Sequence, residues 1–279
     1  MIIKKIRFIF EEVYKKKSLY PLLSAFELLI YKLFKLSSLR SAVREQNLET
    51  LLPKLKEISD DYFNHYNHVK IEGEYWNYKV RALHAFQTDF TLKGIEIVKK
   101  NLKKLVTETN LKLLSVNLDP KAIEKIKKKG YEAILSRAED LEKHNVNPDL
   151  FISFQTIEHL NSPINFLKSI SHNTSCEYFL MTLPYLSESR IGLEHIRNNS
   201  SENVHAENIH IFELKPSDWK LLFKHTGWEV LEDRIFLQYP KKHPLRILKS
   251  GWAKYDFEGF YGVILKRNLI WSKKYLDWQ

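Results

Sequence analysis

Apolar and polar positions follow two different periods along the chain, and each change of period marks a predicted element. From residue 113 to residue 183 the pattern reads as a strand ending in an acid, a basic helix, a second strand, an acidic turn, a third strand, another helix and a fourth strand. Strands that alternate with helices of this length predict βαβ units, and therefore a parallel sheet with crossover helices.

The first third of the chain has helical periodicity. Across residues 1–70, apolar residues recur every three or four positions, while lysines occupy the remaining faces. A further helical pattern continues after Gly73 into the start of the alternating region. This spacing is typical of amphipathic helices. We therefore expect a helical N-terminal cap or extension over residues 1–90, and an α/β domain over residues 91–279.

The C-terminal third predicts one helix and two strands. The helix begins at Pro216 and stops before Gly227, with Leu221 and Leu222 expected on its core side. Two apolar runs at the end of the chain predict an antiparallel strand pair. The predicted fold is a Rossmann-like α/β sheet with helices on both faces, a helical N-terminal extension and this C-terminal strand pair.

Composition and charge narrow the function classes. A hydrophobic content of 44% with 13% aromatic residues indicates a globular protein with a core, and excludes a disordered chain. The net charge of +10 favours partners such as nucleic acid or anionic lipid, although lysine-rich helices that merely face water have the same composition. Residues 1–36 could accordingly cap the sheet or lie on a membrane surface.

The sequence argues against a transmembrane segment and against cysteine-based structure. The most apolar stretch, Leu19–Leu36, is interrupted by Glu27, Lys32 and Lys35, so no transmembrane segment is expected. The single cysteine, Cys176, excludes an internal disulfide and a cysteine-based zinc site, and it is expected to be buried and inert. A reducing, cytoplasmic compartment fits this cysteine content.

An acid follows the first predicted strand of the alternating region. Asp119 stands directly before Pro120 in the run SVNLDPKAIEK. A carboxylate after a parallel strand is the position that binds ribose hydroxyls in dinucleotide-binding folds. An aspartate before a proline is also a common helix N-cap. Both roles stay open for Asp119 from the sequence.

Four segments taken together resemble the class I S-adenosylmethionine (SAM)-dependent methyltransferases. They are the run around Asp119, the acidic turn SRAEDL, the run DLFISFQTIEHLNSPINFLKSI and the run NIHIFELKPSDWKLLFKHTGWEV, which occur in the family's order over residues 110–235. The resemblance implies methyl transfer from SAM to an oxygen or nitrogen acceptor, such as a small molecule or a glycan. It implies His159 or His210 as the base, and SAM bound by Asp119, Glu139, Asp140, Ser153 and Gln155. Arg137 stands where the family often has an aspartate.

One run also resembles a metal-binding motif. In some relatives, including the small-RNA 3′-terminal ribose methyltransferases, E-x-x-E-H and a later histidine hold a divalent cation. Here the run is Gln155 to His159 with Glu158 inside it, and His210 is the later histidine. Glutamine removes a charge that a hard cation prefers, so a metal ion is not expected. Glu158, His159 and His210 would be its ligands; the other interpretation is that they brace the loop.

The family's glycine-rich turn is missing from its usual place before Asp119. Gly94 is the only glycine between Gly73 and Gly130, and it stands in a helical pattern. Glycines allow the backbone to approach a cofactor closely, so SAM binding is either impaired or lost. We expect that the first strand is lost, with a reduced strand near Leu105–Thr107 as the other interpretation. The alternative function is a catalytically inactive methyltransferase-fold binding or scaffold protein that uses its basic surface.

Overall fold

The structure is a computed structural model that describes residues 20–54, 73–102, 112–205, 208–240 and 259–275. The chain forms two compact units, one built from Met1–Phe86 with Phe236–Phe260, and one from Gln87–Ile235 with Tyr261–Gln279. The first unit thus takes a segment from near the C-terminus. The predicted domain boundary at residue 90 stays a prediction, and the expected helices of residues 1–19 and 55–72 lie outside the described residues.

The described helices and strands follow the predicted alternation. The helices are α1 (Tyr20–Glu45), α2 (Glu74–Leu102), α3 (Pro120–Lys128), α4 (Pro163–Asn173), α5 (Glu194–Arg197) and α6 (Pro216–His225). The strands are β1 (Leu114–Asn117), β2 (Glu132–Leu135), β3 (Leu150–Phe154), β4 (Tyr178–Tyr185), β5 (Arg190–Ile191), β6 (Phe212–Glu213), β7 (Trp228–Leu237) and β8 (Gly259–Arg267). Short 3-10 helices cover Glu49–Leu51, Ala138–His144, Ile157–His159 and Ser272–Lys274.

Proline begins three helices of the second unit. Pro120, Pro163 and Pro216 stand in the first turns of α3, α4 and α6. A first-turn residue has no helical partner for its N–H, and the ring fixes φ near the helical value. These prolines therefore start helices without losing a hydrogen bond, which is why the sequence located all three helices.

The strands form a Rossmann-like sheet with one interruption. β1 pairs in parallel with β2, and β3 pairs in parallel with β4. The larger sheet has the order β3-β4-β8-β7, which includes the predicted C-terminal antiparallel pair. The classic doubly wound order 3-2-1-4-5-6 places the first strand between the second and the fourth. Here β1 and β2 correspond to the second and third strands, and the described residues contain no strand that joins β1 to β3.

Helix α2 packs closely against this sheet within the second unit. A Cβ atom at Gly94 would lie 2.3 Å from Leu180 Cδ1 on β4 and 3.7 Å from Ile264 Cδ1 on β8. A Cβ at Gly262 would meet the Phe90 ring of α2 at 3.0 Å. Gly94 therefore serves helix-to-sheet packing, which explains a glycine in a helical pattern.

The core of the second unit lies between the sheet and helices α4 and α6. Its buried members include Leu167, Phe179, Trp219, Phe223, Trp228, Tyr261 and Val263. Trp228 donates its indole N–H to the carbonyl oxygen of Leu167 at 3.0 Å, so its only polar group is satisfied inside the core. Cys176 is buried here as expected, and burial raises the pKa of its thiol to about 11.

One expected core position of α6 is wrong. Leu221 is 68% exposed, whereas Trp219 and Phe223 are buried and Leu222 packs against the core. Residues 219, 222 and 223 share one helix face, and residue 221 points away from it because successive residues turn by about 100°. The apolar run LLF (residues 221–223) fits either of two helix faces. The buried face is the one that contains Trp219 and Phe223.

The first unit has its own apolar core. The rings of Phe86 and Phe260 stack with centroids 5.6 Å apart. The side-chain amide of Gln46 donates to the carbonyl oxygen of Leu237 at 2.8 Å and accepts from its N–H at 3.1 Å. Gln46 thus satisfies both backbone groups of Leu237 at the end of β7, the edge strand of the sheet.

Candidate functional site

Four of the residues predicted to bind the cofactor follow the ends of parallel strands. Asp119 follows β1, Glu139 and Asp140 follow β2, and Gln155 follows β3. Ligands of open α/β sheets bind outside the carboxyl ends of the strands. The structure therefore places these predicted residues on loops of the expected kind, and their individual contacts show what each can do.

Asp119 is the N-cap of α3. Its carboxylate accepts a hydrogen bond from the Lys121 backbone N–H at 2.9 Å, and its own N–H donates to Asn117 Oδ1 at 2.9 Å. An N-cap acceptor of this kind stabilises a helix by about 1 kcal/mol. The local structure accounts for an aspartate at this position without a ligand, and the role of Asp119 in cofactor binding stays a proposal.

The acidic residues of the turn after β2 form ion pairs with basic residues of the same turn. Asp140 Oδ1 lies 2.6 Å from Lys143 Nζ, and this hydrogen bond lowers the pKa of Asp140. Glu139 lies 3.6 Å from the guanidinium Nε of Arg137. Arg137, the residue that departs from the family pattern, therefore contacts one of the two acids expected to meet the adenine.

Gln155 turns the chain sharply at the end of β3. It has a φ of +47°, although it is not glycine, and its N–H donates to the Thr182 carbonyl oxygen at 2.9 Å. Left-handed conformations of such residues cost about 1–2 kcal/mol and are found often at functional sites. Ser153 lies two residues earlier on β3, opposite Met181 of β4 in the register. The turn at Gln155 leads directly into the 3-10 helix that carries Glu158 and His159.

Glu158 is a buried carboxyl group. Only 1% of the residue is exposed, and neither carboxylate oxygen has a hydrogen-bond partner among the described residues. Burial raises the pKa of Glu158 to about 7, an effect that the nearby His210 partly opposes. Burial of an ionised carboxylate without hydrogen bonds is costly, so the buried position favours the protonated form of Glu158.

Two histidines face this carboxyl group with their ring tautomers fixed. The Nδ1 of His159 lies 2.9 Å from the carbonyl oxygen of Ile209, which can only accept, so Nδ1 carries the proton. The Nδ1 of His210 lies 3.1 Å from Glu213 Oε1 and donates to it in the same way. In both rings Nε2 is then the basic nitrogen, and His159 Nε2 lies 3.9 Å from Glu158 Oε1.

Glu213 and Arg190 support His210, and the sequence did not identify either of them. Arg190 Nε donates to Glu213 Oε2 across the β5-β6 pair. Burial raises the pKa of Glu213, but the hydrogen bonds from His210 and Arg190 outweigh it and lower the pKa below its usual range. The three-residue spacing of His210 and Glu213 was a visible signal, whereas nothing local marks Arg190.

The cluster Glu158, His159 and His210 has the composition of a metal site. One ligand atom from each residue lies within 4.8 Å of the others. Two imidazoles and a carboxylate are the zinc ligands of several hydrolases, and metal-binding histidines donate their other N–H to a carboxylate or carbonyl, as both do here. Zinc bonds to these atoms are about 2.0–2.2 Å long, so the side chains would converge on binding.

The described residues do not supply the glycine-rich turn that would cradle SAM. Helix α2 continues to Leu102, and the next described element is β1. The reduced strand considered near Leu105–Thr107 falls outside the described residues. The residues predicted to bind SAM thus lie at or after strand ends. The glycine-rich turn that would precede Asp119 is not found among the described residues.

The strand order defines a Rossmann-like α/β fold. No family model matches the chain, and no curated protein does. Solved structures similar to it include magnesium protoporphyrin IX methyltransferase (ChlM) from Synechocystis PCC 6803, with 9% identity over 77% of this chain and 100% of that chain and a TM-score of 0.47. A putative sarcosine dimethylglycine methyltransferase from Galdieria sulphuraria has 12% identity over 77% and 98% of the chains and a TM-score of 0.47.

A third similar structure is the 1,6-didemethyltoxoflavin-N1-methyltransferase of Burkholderia thailandensis, with 9% identity over 76% of this chain and 86% of that chain and a TM-score of 0.43. These neighbours are methyltransferases, as the sequence motifs indicated. The fold assignment rests on the strand order of this chain, because the TM-scores are below 0.5.

Proposed function

We propose that this chain is a SAM-dependent methyltransferase-like protein that acts on an oxygen or nitrogen acceptor, and that Glu158, His159 and His210 form its reactive centre. The acceptor would be a small molecule or a glycan. The observation that supports this proposal is the pair of imidazoles with basic Nε2 atoms beside a buried carboxyl group. Glu158 and His159 lie on the loop that follows the parallel strand β3, and His210 lies directly before β6.

The proposed chemistry of the chain is proton transfer. An acceptor hydroxyl or amine loses a proton when it gains a methyl group, and a neutral histidine Nε2 is suited to take it. The Glu213 carboxylate would offset the positive charge of His210 after protonation, and Arg190 keeps that carboxylate ionised. SAM, when bound, would supply the methyl group.

Cofactor binding is the step to test first. Asp119, Glu139, Asp140, Ser153 and Gln155 are the proposed SAM-contacting residues, and the glycine turn is the part that is missing from the described chain. Calorimetric titration with S-adenosylmethionine and S-adenosylhomocysteine measures this directly. Micromolar affinity supports the enzyme proposal, whereas no binding up to millimolar cofactor overturns it.

The second candidate function is a catalytically inactive binding or scaffold protein with a methyltransferase fold. The incomplete SAM cradle favours it, and the net charge of +10 suggests an anionic partner. Nucleic acid binding would weaken steeply as salt increases, because counterions are released from phosphates. A fluorescence titration with single-stranded and duplex RNA at several salt concentrations tests this; affinity that does not vary with salt argues against it.

As the alternative to proton transfer by the two Nε2 atoms, we propose that the cluster of Glu158, His159 and His210 binds a divalent transition metal; an Nε2 atom bound to a metal cannot accept a proton. The sequence argued against a metal because Gln155 replaces a glutamate, but the geometry unites three other donors. Imidazole and carboxylate ligands suit Zn²⁺ and its neighbours in the first transition series. Calorimetry with Zn²⁺, Mn²⁺ and Ni²⁺ should show one site that His210→Ala removes. His144→Ala, at an exposed histidine outside the cluster, is the control.

A further inference from the structure

A basic surface lies at the C-terminal ends of helices α4 and α6. Lys168 and His172 are four residues apart on α4, so they share one helix face. His172 Nε2 lies 3.1 Å from the Ser272 hydroxyl oxygen, and Nδ1 of His225, the last residue of α6, lies 2.9 Å from the Tyr275 hydroxyl oxygen. The last 3-10 helix and the residue after it thus contact the ends of both helices.

The charges that shift the titration of His172 are all positive. Burial lowers the pKa of His172, and the charges of Lys168, Lys273 and Arg267 lower it further. Lys168 also lowers the pKa of His225, after the larger effect of burial. The side chains of α4, α6, β8 and the 3-10 helix therefore bring their positive charges to one place.

Helix dipoles explain only part of this arrangement. Cations are favoured at the C-terminal ends of helices, which accounts for the two histidines. Arg267 belongs to β8 and Lys273 to the 3-10 helix, and residues 266–275 contain four basic residues and no acidic one. Glu142 and Glu229 border the surface, where they accept hydrogen bonds from serine and asparagine side chains. Such an excess of positive charge suits a partner that carries many negative charges.

Exposed aromatic rings stand beside these cations. Trp271 is 51% exposed, and Lys274 Nζ lies 4.0 Å from its ring centroid. Tyr275 is 39% exposed, and its ring meets the His225 ring edge to face with centroids 5.0 Å apart. Proteins that bind single strands combine a basic surface for the phosphates with aromatic rings on which bases stack. Both parts of that combination are present here.

We propose that the surface formed by Lys168, His172, Arg267, Trp271 and Lys273 binds a single-stranded nucleic acid. Phosphates would contact the lysines and the arginine, and an unpaired base would stack on the indole ring. Because α4 ends where β4 is about to begin, this surface lies at the opposite edge of the sheet from the candidate site. The proposal rests on the second candidate function, for which it names the surface, and it does not involve the site of methyl transfer.

The test is fluorescence anisotropy of the full chain with labelled oligouridylate and oligodeoxythymidylate at several salt concentrations. We expect binding that weakens steeply as salt increases, and the preferred strand shows which sugar is favoured. The double variant Lys273→Gln/Lys274→Gln should lower the slope of log affinity against log salt by about 0.7 for each lost phosphate contact. Lys127→Gln/Lys128→Gln, which removes the same charge from exposed lysines of α3, should keep the wild-type slope.

Stacking is tested separately at Trp271. Trp271→Ala should weaken binding about fivefold or more, whereas Trp271→Phe should retain most of the affinity because a ring remains. Tyr131→Ala, at an aromatic residue of equal exposure before β2, is the control. The bases of a duplex are paired and stacked on one another, so Trp271→Ala should change duplex binding little.

Two results overturn the proposal in distinguishable ways. Circular dichroism should be unchanged in the variants, because the replaced side chains are exposed. If the wild type binds a strand and neither Lys273→Gln/Lys274→Gln nor Trp271→Ala differs from its control, nucleic acid binding stands but another surface carries it. If the wild type binds no strand even at low salt, this proposal and the nucleic acid form of the second candidate function fail together.

A lipid surface is the other anionic partner to compare. Among the described helices, none combines the length and apolar character needed to cross a bilayer. Co-sedimentation with vesicles of phosphatidylcholine and phosphatidylglycerol is measured on the same samples. Binding to these vesicles, weakened by Trp271→Ala and accompanied by no binding to either strand, would also overturn the proposal.

Discussion

The imidazole of His159 donates from Nδ1 to the carbonyl oxygen of Ile209, 2.9 Å away, and thereby ties the loop after β3 to the segment before β6. The N–H of Ile211 donates to the carbonyl oxygen of Glu158 at 2.7 Å. These two bonds flank His210 on either side and hold its ring beside that of His159, with centroids 4.6 Å apart. One side-chain bond and one backbone bond thus hold the loop of Glu158 and His159 against the segment that carries His210.

Glu158 should make stability depend on pH. Its folded pKa of about 7 exceeds the usual value of 4.5, so between these pH values the folded chain binds more protons than the unfolded chain. The free energy of unfolding should fall as pH rises from about 4.5 to about 7, by at most a few kcal/mol at roughly 1.4 kcal/mol per pKa unit. Glu158→Gln should remove this fall and be more stable than wild type above pH 7.

Thermal or urea unfolding in the presence of a chelator measures the effect of Glu158. Glu202→Gln, at an exposed glutamate, is the control and should retain the wild-type pH profile. If wild type and Glu158→Gln have parallel profiles, the carboxyl group is not protonated in the folded chain.

Replacing Glu213 should weaken the proposed centre without destroying the fold. Glu213→Gln keeps an oxygen that can accept from His210, but it removes the charge that Arg190 and His210 share. Loss of such a supporting carboxylate typically costs about 10- to 100-fold in metal affinity. Calorimetry with Zn²⁺ should show a loss of this size in Glu213→Gln and none in Glu194→Gln; a similar small change in both would contradict the proposed role.

Two substitutions distinguish the helix-capping role of Asp119 from its proposed role in SAM binding. Asp119→Ala removes the N-cap and should lower the free energy of unfolding by about 1 kcal/mol, whereas Asp119→Ser keeps a capping oxygen and should be nearly neutral. If Asp119 also binds the ribose, both variants should lose SAM affinity. Chemical denaturation and cofactor titration are measured on both; retained SAM affinity in Asp119→Ser would leave the aspartate as a cap alone.

Gly94 should tolerate no large side chain. Gly94→Leu forces atoms into the space held by Leu180 and Ile264, and overpacking of this kind costs about 1–3 kcal/mol. Gly94→Ala should cost less, because its methyl group meets only the end of the Leu180 side chain and alanine favours the helix by about 1 kcal/mol. Glu96→Leu, on the exposed face of α2, is the control. Equal stability of Gly94→Leu and Glu96→Leu would refute close packing.

The sequence predicted the parts of the fold that are encoded locally. Pro120, Pro163 and Pro216 marked helix starts, and the apolar runs between them marked β3 and β4, because these signals act within a few residues. The face of α6 could not be read in the same way. Leu221 and Leu222 are equally apolar, and only the packing of Trp219 and Phe223 against other elements shows which leucine is exposed.

The sequence named the residues of the candidate site, but it did not predict how they are arranged in space. Glu158, His159 and His210 were identified by motif, but the burial of Glu158 depends on contacts between loops that are far apart in sequence. Arg190 had no local signal at all, since its relation to Glu213 exists only once β5 pairs with β6. The contact between Arg190 and Glu213 depends on which strands pair, and the local pattern of a single sequence does not show this.

The thiol of Cys176 has a practical consequence. It is the only sulfhydryl group of the chain, and it is buried with a pKa of about 11, so at neutral pH it presents almost no reactive thiolate to a labelling reagent. A cysteine introduced at an exposed position such as Leu33 or Leu221 would therefore accept a fluorophore or a spin label selectively in the native chain. Site-directed labelling of this protein therefore does not require replacement of its native cysteine.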